Sequence, residues 1–301
     1  MMLTSETVGA EFTRTYRRVA DFVLLMKPGI LTMVLLTTFV GFYLGLRSTP
    51  DYATLLHVLV GTALAAGGTL ALNQFLERDT DARMVRTRLR PLPAGRLQPV
   101  EALLFGVSIA VAGLLYLAIS VNTLSSVVAI VIVGSYLFLY TPLKRRTAFC
   151  TVVGAVPGAL PPVIGWAAAT GRLGIEAWVL FAIMFLWQLP HTRAIAMLYK
   201  DDYARAGIRL LPVIDPGDNI AGRQIVFDCL VLLVVSLLPT LIGFAGPVYF
   251  LGALTLGIGV LGCAYAFTLW RSTTDVRRLL LVSLVHLPAL LLLMVLDRVP
   301  F

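Results

Sequence analysis

Nine stretches of this chain are apolar for long enough to cross a bilayer, and they set the rules for everything between them. They run at about 26–46, 55–76, 101–119, 123–141, 150–170, 176–198, 225–245, 248–270 and 279–296. A helix needs about 20 apolar residues to span roughly 30 Å of hydrocarbon, and in lipid its backbone polar groups must be satisfied within the segment. The pattern predicts an all-α, polytopic membrane protein with about nine transmembrane helices. Composition agrees: only 13% of the 301 residues are charged, against roughly 25% in a soluble domain. The expected organisation is a cytoplasmic N-terminal segment over 1–25, then a single transmembrane domain over 26–301. Within the first, positions 10–25 suit an amphipathic surface helix with Arg14, Arg17 and Arg18 on its polar side.

The net charge of +8 does not point to nucleic acid. The basic residues sit in short loops between apolar runs, and they alternate in side. Arg14 to Lys27, Arg78 to Arg96, Lys144 to Arg146, Lys200 to Arg223 and Arg271 to Arg278 fall on one face. Arg47, Arg172 and Arg298, three of 24, fall on the other. Positive-inside logic puts the N-terminus and the long loops in the cytoplasm and the C-terminus outside. Met1 to Asp21 has no cleavable signal, and Glu6, Glu11 and Asp21 disfavour a mitochondrial presequence. A bacterial inner (plasma) membrane is the expected location. Cys150, Cys229 and Cys263 have neither disulfide-framework nor metal-site spacing.

The two longest inside loops, 77–100 and 199–224, are the places to look for function. Asn73, Glu77 and Asp81 precede and enter the first, four residues apart. On a helix each step of four drifts about 40°, so the three share one face over about 12 Å. Such a row of oxygens suits Mg²⁺, which takes one or two carboxylates plus substrate phosphates. Arg86 and Arg90 follow, spaced to grip those phosphates. The plain alternative is a charged loop lying in water between two spans. Segment 55–76 carries Gly61, Ala65, Gly67 and Gly68, which let a neighbouring helix approach closely. Pro157, Pro161 and Pro162 should kink segment 150–170 and open a cavity.

A second polar group follows the sixth span. His191 and Arg193 stand near membrane depth, where ionisable residues are functional candidates. Lys200, Asp201 and Asp202 come next; the alternative is snorkelling cations and a solvated acid pair. Lys144, Arg145 and Arg146 form a third inside cluster, which a topology anchor also explains. Together these residues suit a substrate with a diphosphate head and an apolar tail. Metal and cations would stabilise the departing diphosphate, and an apolar cavity would shield the carbocation from water. Phe75, Trp166, Trp187 and Tyr199 are candidate wall residues.

Asn73-x₃-Glu77-x₃-Asp81 resembles the first acidic motif of the UbiA-type intramembrane prenyltransferases. The longer pattern is narrower. Met84, Arg86-Thr87 and Arg90-Pro91-Leu92, YTPLKRRT at 140–147, GAVPGALPPVIGWAAATG at 154–171, WQLPH at 187–191 and YKDDYARAG at 199–207 are similar to the haem-farnesylating branch of that superfamily. The resemblance implies nine helices around a central cavity. It also implies a reaction in which farnesyl diphosphate, protoheme IX and water give haem O and diphosphate. Haem B would then be a substrate and not a prosthetic group, and Mg²⁺ the cofactor. Haem A synthase or terminal-oxidase assembly would be downstream partners.

On this reading Asn73, Glu77, Asp81 and either Asp201 or Asp202 are catalytic. Metal falls to Asn73, Glu77, Asp81 and Asp202, and diphosphate to Arg86, Arg90, Lys144 and Lys200. His191 is the candidate haem contact. Glu77 stands where many relatives have Asp, and Thr192-Arg193 replaces a common aromatic pair. The rivals are prenyl transfer to an aromatic quinone precursor, a membrane transporter and a haem-binding assembly factor.

Overall fold

The computed structural model describes residues 5–46, 49, 51–215 and 217–299, with side chains from Thr15 onward. Arg14 and Arg47, two of the cations that bear on sidedness, fall outside the described side chains. Among the described residues the regular secondary structure is helical, apart from an isolated bridge between Ala245 and Arg298. An outlying helix α1 (Ser5–Leu25) leads into α2 (Pro28–Gly45), α3 (Tyr52–Asp81) and α4 (Pro99–Ser120). Next come α5 (Thr123–Gly134), a π-helical turn (Ser135–Tyr140) and the short α6 (Thr141–Leu143). The Pro-rich span is α7 (Cys150–Ala159) with α8 (Pro161–Thr170), followed by α9 (Ile175–Leu198). Two short helices, α10 (Lys200–Arg205) and α11 (Leu211–Ile214), fill the long loop. The chain closes with α12 (Asn219–Ser236), α13 (Leu238–Leu241), α14 (Pro247–Trp270) and α15 (Thr273–Leu296).

Nine membrane-length apolar helical segments occur among the described residues, at the nine expected places. Their polar ends reach further than hydropathy suggests. Helix α12 begins at Asn219 rather than 225, because the Asp215 carboxylate accepts from the backbone N–H groups of Ile220 and Ala221 at 2.8 and 2.9 Å. Helix α15 begins at Thr273 rather than 279, capped by the Ser272 hydroxyl on the Asp275 N–H. Helix α3 is 30 residues long. That is about 45 Å, against a hydrocarbon core of about 30 Å, so its last turns stand in the headgroup layer, where charges are tolerated.

Close backbone approach fixes the bundle. A Cβ on Gly68 would lie 2.5 Å from the Ala110 nitrogen and 2.6 Å from the Gly106 carbonyl, so α3 and α4 touch along small residues. Gly41 and Gly165 do the same for α2 and α8, where a Cβ on Gly165 would meet the Thr38 carbonyl at 1.9 Å. The expected kink falls at Leu160, between α7 and α8, where Pro161 interrupts the helical ladder. The largest apolar core joins α2, α8, α9 and α15 around Phe42, Ile164, Leu180, Ile183 and Leu287. Helix α1 is held to the bundle by Asp21, which pairs with Arg96 at 2.9 Å, and by Arg18 on Glu101. It leaves Tyr16, Val19 and Val23 exposed.

Candidate active site

Because α3 stays helical through Asp81, Asn73, Glu77 and Asp81 form one buried row at its charged end. Each faces a cation. The Lys27 ammonium donates to Asn73 Oδ1 at 2.6 Å. Lys144 donates to Glu77 Oε1 at 2.9 Å. Arg90 donates to Asp81 Oδ2 at 2.7 Å. The segment after Asp81 is no open loop. Tight turns fold it back, and the Thr87 hydroxyl donates to the Asp81 carbonyl at 2.8 Å, which returns Arg90 to Asp81. Burial pulls the Lys27 ammonium down to about 8 against the pull of Glu77. Burial would also depress Lys144, but the Glu77 carboxylate overrides it and holds that ammonium well above the ordinary lysine value.

Lys27 was not foreseen as a site residue. In the sequence it reads as one more inside cation before a span. Its backbone is left-handed (φ 49°, ψ 70°) immediately before Pro28, a costly conformation for a non-glycine residue. Strained residues of this kind persist where their surroundings over-determine them. Here the turn between α1 and α2 delivers the ammonium to Asn73.

Arg86 lies over the Tyr199 ring at 5.0 Å and donates to the Tyr203 hydroxyl at 3.3 Å. Its loop is set by Asp202, whose carboxylate accepts from the backbone N–H groups of Val85 and Arg86 at 3.3 and 3.2 Å and pairs with Arg205. Burial would raise the Asp202 carboxyl, but those N–H groups and Arg205 hold it below its usual range. Asp201 is exposed, as the roughly 100° between neighbours on a helix requires. Among the described residues, no three His, Cys, Asp or Glu side chains gather at metal-ligating distance. The row of Asn73, Glu77 and Asp81, two carboxylates and an amide, fits an ion that completes its shell with phosphate oxygens.

Below this polar mouth lies a cavity of about 390 Å³. Arg86, Lys144 and Tyr203 rim it, and Thr69, Leu70, Ala129 and Ile164 line its depth. Its aromatic walls are Tyr136 and Tyr140, presented side by side by the π-helical turn with ring centroids 5.2 Å apart. Such turns recur at functional sites. The expected wall residues stand elsewhere. Trp166 and Trp187 pack in the core, Phe75 lies under Arg78, and Tyr199 is half-exposed beneath Arg86. No sequence signal marks the π turn, since one extra residue per turn leaves no trace in hydropathy.

Two other expected residues face away from the cavity. His191 Nδ1 bonds the Ser283 hydroxyl at 2.9 Å, and its ring stacks on Trp187. Gln188, Thr192 and Ile195 are the α9 residues that line the cavity. Lys200 donates to the Asp215 carbonyl at 3.3 Å and to Asp218 Oδ1 at 3.1 Å, so it ties down the 215–218 turn. Arg193 is paired with Asp228 of α12, both buried, away from the cavity.

The family model of the UbiA prenyltransferases matches residues 34–287. A protoheme IX farnesyltransferase of Solibacter usitatus is 48% identical over 92% of this chain and 98% of that protein. A solved digeranylgeranylglyceryl phosphate synthase superposes with a TM-score of 0.78 at 15% identity, covering 93% of this chain and 98% of its own. A UbiA homologue from Archaeoglobus fulgidus, bound to GPP and Mg²⁺, does so at 0.62 and 15% identity, over 91% of this chain and 99% of its own. With that match and nine apolar membrane-length helices among the described residues, the chain is a multi-pass membrane protein that belongs to the UbiA prenyltransferase family.

Proposed function

We propose that this chain transfers the farnesyl group of farnesyl diphosphate to the vinyl group of protoheme IX, giving haem O and diphosphate. One observation carries the reading. A buried row of oxygen ligands, each matched to a cation, adjoins an apolar cavity through Lys144, which pairs with Glu77 and lines that cavity. The name carried by the 48% identical relative supports the acceptor, and the GPP- and Mg²⁺-bound relative supports the donor class and the metal. The mouth is assigned to the cytoplasmic face of a bacterial inner membrane, which the run of basic loops supports. Haem O would then pass to haem A synthase or to terminal-oxidase assembly.

Asn73, Glu77 and Asp81 would hold Mg²⁺ on the diphosphate, where it supplies charge neutralisation to the leaving group. Arg86 offers its guanidinium with only tyrosines as partners, so it can take phosphate oxygens without breaking an ion pair. Lys27, Lys144 and Arg90 exchange their α3 partners for phosphate oxygens as the substrate arrives. They hold the diphosphate while the C1–O bond breaks and the leaving oxygen takes the electron pair. Tyr136 and Tyr140 flank the allylic cation, shielded from bulk water. The vinyl group attacks C1, water adds to the cation left on the porphyrin side chain, and a proton is lost. Asp202 acts on the backbone, fixing the turn that carries Arg86. His191, held by Ser283 on the face of α9 turned from the cavity, takes no part in this reading.

The test is direct. Purified chain is given Mg²⁺ and farnesyl diphosphate with protoheme IX and, separately, an aromatic quinone precursor. The expected product is protoheme carrying one farnesyl and one hydroxyl group by mass spectrometry. Transfer to the aromatic acceptor alone would assign a quinone branch, and no metal-dependent diphosphate release would leave a carrier.

A further inference from the structure

A second cavity, of about 350 Å³, lies on the other side of the α3–α6 seam. The seam is closed by three rungs. Asn73 Nδ2 donates to Thr141 Oγ1 at 3.2 Å, Lys144 to Glu77 at 2.9 Å, and Arg145 to Thr80 Oγ1 at 2.6 Å. Lys144 lines both cavities. The outer one is walled by Leu76, Leu137 and Phe138, with Leu76 and Phe138 exposed on membrane-spanning segments, so it opens towards lipid. Its polar lining at the basic end of the bundle is Lys144 and Arg145 with their partners Glu77 and Thr80, so the one carboxylate on it is already neutralised by Lys144 and the charge left over is that of Arg145.

The cations on these two cavities fall into two kinds. Lys144 is neutralised by Glu77, whereas Arg86 and Arg145 have uncharged partners only. Arg86 faces the substrate mouth. Arg145 faces an apolar groove at headgroup depth, with the exposed Arg146 beside it. An arginine whose sole bond is to a threonine hydroxyl can accept a phosphate at the cost of one neutral hydrogen bond. Basic pockets between helices at the membrane surface suit anionic headgroups. We infer that the groove between α3 and α6 binds an acidic phospholipid, its phosphate on Arg145 and an acyl chain along Leu137 and Phe138. Such a lipid would lie against the Glu77–Lys144 pair itself.

Native mass spectrometry of the full chain, titrated with phosphatidylglycerol and with phosphatidylcholine, tests this. Wild type should hold one phosphatidylglycerol tightly and prefer it to phosphatidylcholine. Arg145→Gln should weaken that affinity about fivefold and erase the preference. Leu76→Trp, which fills the groove without altering charge, should lose the lipid while keeping the wild-type melting temperature in neutral lipid. Both variants should bind a farnesyl thiodiphosphate as wild type does. Unchanged phosphatidylglycerol affinity in both variants overturns the inference. Equal displacement by inorganic phosphate would mean a bare anion site. Displacement by protoheme IX, with protoheme affinity lost in Arg145→Gln, would reassign the groove to the acceptor.

Discussion

Two parts of this bundle bury ions, and they use them differently. At the charged end of α3, Glu77 and Asp81 meet Lys144 and Arg90 beside an apolar cavity, so each pair has a third party to yield to. Between α9 and α12, Arg193 meets Asp228 beside Ile225, Cys229 and Ala264, and neither side chain lines the substrate cavity. The same chemistry gives exchangeable partners in one place and a fixed clasp in the other. A buried charge implies function when space for a ligand adjoins it. Otherwise it holds helix register at a desolvation cost.

The sharpest test of that contrast is Asp81→Ala. Turnover should fall by about 10³-fold or more, while insertion and the haem absorption spectrum stay unchanged. Near wild-type farnesyl transfer in extracted haem would sink the site. Arg193→Leu should instead destabilise the chain by about 3–5 kcal/mol, because Asp228 is left buried and alone. The double variant Arg193→Leu/Asp228→Leu should regain most of that loss in thermal unfolding, and a double variant no better than the single would break the clasp reading.

A smaller effect is expected at the mouth. Arg86→Ala should raise KM for farnesyl diphosphate about tenfold with kcat less affected, one charge-assisted contact being lost. A change confined to haem affinity would contradict its phosphate role. Smallest of all, Lys200→Ala should leave KM within about twofold and cost under about 1 kcal/mol, as a half-exposed pair on the 215–218 turn. A KM shift as large as that of Arg86 would return Lys200 to the diphosphate site.

Much of this was legible in the chain. Apolar run length determined the nine spans, because lipid offers no partner to an unpaired backbone group. The spacing of Asn73, Glu77 and Asp81 determined a shared face, because the helical period is fixed. Of the three prolines, Pro161 sets where the fifth span bends, while Pro157 stays within α7. Local rules of this kind need no tertiary context.

What an ion pairs with, and which way a side chain opens, was decided only by packing. Lys27, 46 residues before Asn73, reaches it because the left-handed turn before Pro28 folds α1 away from α2. Tyr136 and Tyr140 replaced the expected tryptophans as cavity walls because a π-helical turn rotates them inwards. Asp202 and Lys200, alike in sequence to metal and phosphate ligands, were drawn to backbone groups of neighbouring turns. Residue type and period fix what a segment can present. Only the crossing of helices distant in sequence fixes what it meets, since each such contact depends on every element between.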